Sequence, residues 1–266
     1  MKLLIYSEFE RLWKRKWFWL MVLCTPVLAY STGLYYLRTR DVPIEVLHQI
    51  FIVASLKENL YLFCNIPVAA LAAAMFTEEF RSGRLRLLFM RRFTRGQIFW
   101  SKLLVLNSSI LFLLLAFAIS SQVIAEIWKY SYHLSDASLS GFQRLQMLEY
   151  YGWALASLLA ISSFYCFVAM YSKSVTYAIG ICMVYNLGSL LFDPLYLKLA
   201  SFVSHIPYLY DVATFMIIPY MQHTGLDKSL IGNWSVNGAI ATVVCLYLFF
   251  FIWGAYRRFV ADDYLY

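Results

Sequence analysis

Thr77–Leu103 reads TEEFRSGRLRLLFMRRFTRGQIFWSKL. Six basic residues lie between Arg81 and Arg95, Lys102 follows, and a long apolar run stands on each side. A stretch this charged does not cross a bilayer, whereas the runs that flank it are long and apolar enough to do so. The block therefore marks one side of an α-helical membrane protein, and its sign says which side.

Working outward, the 266-residue chain is 62% hydrophobic and only 14% charged. Soluble domains are nearer half apolar and a quarter charged. Six segments approach the roughly 20 apolar residues that a spanning helix needs: Trp17–Leu37, Leu60–Phe76, Leu103–Ile127, Gly152–Tyr171, Thr176–Phe192 and Val236–Tyr256. These are continuous runs, not the short alternating segments of a β-barrel. The first is too long for the apolar core of a signal peptide and has no clear cleavage site after it, so it is read as a retained span. The expected fold is all-α and integral to the membrane, with residues 1–266 forming one transmembrane domain.

Charge gives the topology. With the N-terminus inside, 15 of the 22 Lys and Arg fall inside and 7 outside. The opposite orientation breaks the positive-inside tendency. Both termini are thus expected in the cytoplasm, in a cell membrane. Ser201–Met221 is apolar enough to suggest a seventh span, but it contains His205, Pro207, Asp211 and Pro219, which are costly or helix-disrupting in lipid. Residues 193–235 are read instead as a broken, re-entrant element dipping into the outer leaflet. Residues 1–16 read as an amphipathic interfacial helix, with Leu4, Ile5, Phe9, Leu12 and Trp13 on its apolar face and Glu8, Arg11, Lys14 and Arg15 elsewhere. The five cysteines (24, 64, 166, 182 and 245) all fall in expected spans and read as apolar fillers.

Within the basic block, Leu85, Leu88 and Phe89 share one side of a short helix, and Gly83 can interrupt it or admit another backbone. A lipid-anchoring loop is the plain reading of such a segment. The spacing carries more. Glu79, Gly83, Leu85, Leu87, Leu88, Arg95, Ile98 and Lys102 match, without a gap, a pattern that follows the second span of certain ABC-superfamily permeases. In this stretch and in its six-span layout the chain resembles the class that exports drugs, polysaccharides and peptides. It departs from the pattern at Arg84 (threonine), Arg92 (proline) and Ser101 (a common glycine).

The resemblance implies that residues 78–102 form a coupling helix docked in a groove of a separate ATPase subunit. The implied contact set is Glu78, Glu79, Gly83, Arg84, Leu85, Leu88, Phe89, Arg91, Arg95 and Lys102. Leu85, Leu88 and Phe89 would fill the groove, with Glu79, Arg84, Arg91 and Arg95 at its rim. The resemblance further implies two ATPase subunits per transporter, ATP and Mg bound on them, and a second copy of this chain or a related permease.

The chain contains no G-x4-G-K-[ST] phosphate loop. Leu139–Gln143 reads LSGFQ, close to an ABC ATPase signature, but in a short loop without the fold that presents it to ATP. His48, His133, His205 and His223 have no metal-ligand spacing, and neither a catalytic motif nor a nucleic-acid partner is indicated. Glu126, Glu149 and Asp193 sit near span ends, against the intramembrane carboxylate relays of ion-coupled carriers. Of the polar residues within spans, Ser and Thr are read as packing groups. Asn107 and Asn186 are the candidates for a translocation path, since an unpaired amide in lipid is costly. The expected function is the membrane half of an ATP-driven exporter of a lipophilic or amphipathic compound, such as a peptide antibiotic, toxin or drug. The alternatives are lipid or polysaccharide export, or a sensor or scaffold that binds a cytosolic partner through the same loop.

Overall fold

The computed structural model describes residues 2–39, 44–77, 93–133, 141–230 and 234–261, almost entirely helical and without a strand among them. Helix α1 (Lys2–Trp13) meets α2 (Lys16–Thr39) at a tight elbow. Helix α3 (Ile44–Asn59) runs through a π-helical turn (Leu60–Cys64) into α4 (Asn65–Ala72) and a second π turn (Ala73–Thr77). Three long helices, α5 (Arg95–Ser131), α6 (Gly141–Tyr171) and α12 (Trp234–Ala261), form the rest of the frame. Between α6 and α12 lie α7 (Val175–Leu191), α8 (Asp193–Ser201), α9 (Pro207–Phe215), α10 (Ile218–Tyr220), a third π turn (Met221–Gly225) and α11 (Leu226–Ser229).

Five helices among these residues are long and apolar enough to span: 16–39, 50–77, 95–131, 144–171 and 234–261. The expected fifth span is different. It ends after 17 residues, and α8 continues from it at a bend of 68°. Pro194 opens the new helix, at the first turn where a missing N–H costs nothing. The following segment is broken as expected, at Pro207 and again at Pro219, both of which start short helices. The second span begins earlier than its apolar run suggested. Phe51 stacks on Trp128 at 4.8 Å and Ser55 shares a 2.6 Å hydrogen bond with Ser121, so α3 packs on α5 before the purely apolar part begins.

Helix α6 is the hub. In its span 67% of residues are buried, against 28% in α2 and in α12, so the latter two lie on the outside of the bundle. Polar contacts fix which ends lie together. Arg95 donates to the carbonyl of Val260 (2.7 Å), Thr77 to that of Ala169 (2.7 Å), and Lys102 pairs with Glu8. The start of α5 and the ends of α4, α6 and α12 therefore share one end with α1. At the other end Lys57 pairs with Asp227, Tyr36 donates to Glu58 (2.8 Å) and Asn237 to Glu149 (3.3 Å). Both ends of the described chain thus lie on the same side, as an even number of crossings requires.

Local chemistry explains two irregularities. Pro26 lies inside α2 and cannot donate to the carbonyl of Val22, four residues back. The Thr25 hydroxyl donates to that carbonyl at 2.8 Å and also meets Ser120 Oγ at 3.2 Å, satisfying an acceptor that apolar surroundings would leave bare. Thr94 caps α5 through a capping box with Gln97, which gives the helix a sharp start.

Two expectations are corrected here. Glu8 is not on the exposed face of α1; it is buried between Leu4 and Leu12 on the same face. Cys24 and Cys245 are exposed on the flank of the bundle, so only Cys64, Cys166 and Cys182 serve as buried fillers.

Gly33 marks the closest approach of α2 to α5: a Cβ there would fall onto the indole of Trp128. Gly33→Leu should lower stability by about 1–3 kcal/mol through overpacking. The check is thermal unfolding of the detergent-purified protein, with Gly152→Leu, where a Cβ meets open space, as the tolerated control.

Candidate functional site

Of the expected ATPase contacts, Glu78, Glu79, Gly83, Arg84, Leu85, Leu88, Phe89 and Arg91 lie outside the described residues. Arg95 and Lys102 are described, and both face into the protein. Arg95 follows the Thr94 cap and reaches the carbonyl of Val260 in the last turn of α12, a favourable place for a cation on the helix dipole. Lys102 lies two turns further along α5. Its Nζ is 3.1 Å from Glu8 Oε2, with side-chain exposures of 1% and 3%. Arg11 reaches the other Glu8 oxygen at 3.4 Å.

Burial raises the stakes of this pair. Two charges withdrawn from water are tolerated only when they satisfy one another, and removal of one strands the other. The pair fastens α1 to α5 seven residues after the basic block reaches the helix at Arg95. Thr77, the last described residue before that block, is fastened to α6. Each root of the loop is therefore bonded to a different helix of the bundle.

At a separate place in the bundle is a buried cluster of amides and hydroxyls. Asn65 Nδ2 donates to Gln222 Oε1 at 2.7 Å, and Gln222 Nε2 returns a longer bond of 3.4 Å to Asn65 Oδ1. Gln222 Nε2 also donates to Ser157 Oγ at 3.1 Å. Asn186 Oδ1 accepts from the Tyr165 hydroxyl at 2.8 Å and, at the limit of 3.5 Å, from Asn65. Asn65, Ser157, Asn186 and Gln222 are all fully buried. The cluster joins α4, α6, α7 and the third π turn, and through Gln222 the broken segment is latched by side-chain bonds to α4 and α6. Asn65 stands directly after one π turn and Gln222 inside another; such turns recur where helices carry functional groups. Asn186 Nδ2 has no hydrogen-bond partner among the described residues.

Of the two amides singled out from the sequence, Asn186 is in this cluster and Asn107 is not. Asn107 sits partly exposed on α5 and makes none of these bonds. Asn65, Ser157 and Gln222 were not singled out. The signal was available for Gln222, an amide in the otherwise apolar MIIPYMQ, once that segment is placed inside the bundle. No group of three or more His, Cys, Asp or Glu among the described residues could hold a metal ion. His223 instead packs edge-on against Tyr61 at 5.1 Å.

Residues 4–189 match the family described as ABC-2 family transporter protein. The chain belongs to this family. The match runs from α1 through the first five spans and includes the basic block, while the broken segment and α12 lie beyond it. No curated protein matches the sequence. The chain is thus a multi-pass membrane permease of an ABC transporter, a transport subunit whose family works with an ABC ATPase partner.

In this ABC-2 permease Lys102→Met should cost up to about 3–5 kcal/mol, because it takes the shorter of two ion-pair contacts from the buried Glu8 and leaves it only Arg11 at 3.4 Å. Glu8→Leu combined with Lys102→Met should recover most of that loss, which a double-mutant cycle by thermal unfolding will read. Gln222→Leu, which strips Asn65 and Ser157 of a partner, should cost about 1–3 kcal/mol in the same assay.

Proposed function

We propose that this chain is the membrane half of an ATP-driven exporter, and that residues 78–102 are its coupling element. The observation that supports this best is the anchoring of the loop's two roots: Thr77 to α6, Arg95 to α12, and Lys102 through Glu8 to α1. A displacement of the loop as a rigid body then passes into three helices beyond those it directly joins. The positive-inside tendency places this end in the cytoplasm, since it carries 15 of the 22 cations under the two-sided count. ATP and Mg would be bound by two partner ATPase subunits, and a second permease, identical or related, would complete the path. The contact residues proposed for the ATPase groove are Glu79, Leu85, Leu88 and Phe89, with the neighbouring arginines at its rim.

The buried amide cluster supports a role for the broken segment as the outer closure of the path. Its bonds through Gln222 to α4 and α6 are side-chain bonds, which can open and reform without unfolding a helix. The cargo proposed is lipophilic or amphipathic, in keeping with spans that carry few polar groups.

The test is co-expression with the cognate ATPase. Leu88→Asp and Glu79→Lys should each abolish co-purification or lower transport-coupled ATP hydrolysis by at least tenfold, without loss of the folded permease. Unchanged association and transport would overturn the coupling role, and association with no transport of any amphiphile would favour a sensing role.

A further inference from the structure

We propose that the two-residue break at Met216–Ile217 is the hinge of the broken segment, and that Tyr185 and Tyr247 are the clasp that holds it shut. Helix α9 ends at Phe215 and α10 starts at Ile218. Pro219 has no N–H to return to the carbonyl of Phe215, so the chain cannot close this gap as continuous helix. Ile217 is extended instead, at φ −91° and ψ 101°.

The hydrogen bonds of the clasp have one consistent direction. Ile218 N–H donates to Tyr185 Oη at 3.3 Å, and Tyr247 Oη donates to the carbonyl of Met216 at 2.6 Å. The two hydroxyls lie 3.1 Å apart. Each carries one proton, and that of Tyr247 is committed to Met216, so the bond between them runs from Tyr185 to Tyr247. Amide, two hydroxyls and carbonyl form one head-to-tail chain across the break, in which each bond polarises the next.

The pieces on the two sides of the break are fastened to different helices. Before it, Tyr208 Oη lies 2.7 Å from Thr242 Oγ1 and ties α9 to α12. After it, Gln222 bonds to α4 and α6, and Asp227 pairs with Lys57 of α3. The clasp itself draws Tyr247 from α12 and Tyr185 from α7. Phe215 rests across the hinge on Gly225, where a Cβ would fall 2.9 Å from its ring; this contact has no hydrogen bond to break. Hinges absorb motion in a few residues at the ends of elements, and residues 216 and 217 stand at such a place. Movement of α12 away from α7 parts Tyr247 from Tyr185, frees the break and carries α9 off, while α10 and the third π turn stay with α4 and α6. The proposal deepens the reading of this segment as the outer closure, and rests on that reading for the purpose of the motion.

The experiment uses the full permease in lipid nanodiscs without ATPase or nucleotide, so its outcome is separate from that of the coupling test. Deuterium exchange at the Ile218 amide should rise about fivefold in Tyr185→Phe, the weight of one neutral hydrogen bond, and by a similar factor in Tyr247→Phe. The double variant should rise no further, because the two hydroxyls act as one unit. Tyr177→Phe, an exposed tyrosine on the same helix α7, is the unchanged control. Spin labels at Leu209 and Lys228, in a chain with Cys24 and Cys245 replaced by Ala, should show a second, longer distance in the double variant. Labels at Leu209 and Phe249, both on the α12 side of the hinge, should keep a single distance in every variant. Unchanged Ile218 exchange in either single variant would overturn the clasp, as would factors that multiply in the double variant. A 209–228 distance that stays single, or a 209–249 distance that also splits, would overturn the hinge.

Discussion

In hydrocarbon no water is present to bond a bare N–H or C=O, so every backbone polar group must be satisfied within the protein. The long helices meet this condition by themselves. Each departure from regular helix then needs a local remedy. At Pro26 the Thr25 hydroxyl takes the acceptor that the proline leaves. At the break before Pro219 the remedy is placement. The tyrosine hydroxyls of the bundle serve the broken segment there: Tyr185 accepts from the backbone N–H of Ile218 at 3.3 Å, and Tyr247 donates to the carbonyl of Met216 at 2.6 Å. The irregular stretch is held where polar side chains can reach it.

The same logic separates the two polar sites. The Lys102–Glu8 pair is charged, buried and compact, and its partners lie on two helices. It acts as a rivet, because separating a buried ion pair exposes both charges to an environment that solvates neither. The amide cluster is neutral and distributed over four elements, with one longer return bond at 3.4 Å and one marginal contact at 3.5 Å. Neutral hydrogen bonds of this kind contribute about 1 kcal/mol each on balance, and polar pairs between membrane helices often contribute less. The structure therefore places its firm connection at the root of the basic loop and its soft one around the broken segment. Under the proposed coupling role, that distribution would suit a body driven at one end and opened at the other.

Much of this was legible in the sequence. The span count rests on long apolar runs, which the bilayer makes a strong signal. The Pro207 and Pro219 breaks followed from the cost of proline inside a helix. What the sequence did not show has a common cause: it concerns which residues meet across helices. Glu8 reads as a surface residue from its charge, and only the position of Lys102 on a different helix makes it a buried one. Asn65 reads as a packing amide until α4, α6 and the third π turn are brought together. The end of the fifth span was legible too, since the apolar run stops at Phe192, one residue past the end of α7; only the 68° angle at which α8 leaves it was not.

The elbow at Lys14–Arg15 connects the two themes. On one side of it, α1 is held by Glu8 to α5; on the other, α2 is sparsely buried and meets α5 at Phe18–Phe112, Thr25–Ser120 and Gly33–Trp128. Around the elbow Trp13, Phe18, Trp19 and Phe112 stack within 4.6–5.8 Å of one another in pairs, and Trp19 Nε1 donates to the carbonyl of Trp13 at 3.0 Å. Aromatic rings at this depth resist displacement along the membrane normal. The elbow end of α2 is thus pinned in depth, while its exposed flank packs on few neighbours. A helix fixed in depth but loosely flanked has tilt and rotation as its soft motions. Those are the motions that a push transmitted from the loop root, through Lys102 and Glu8 to α1, would excite first.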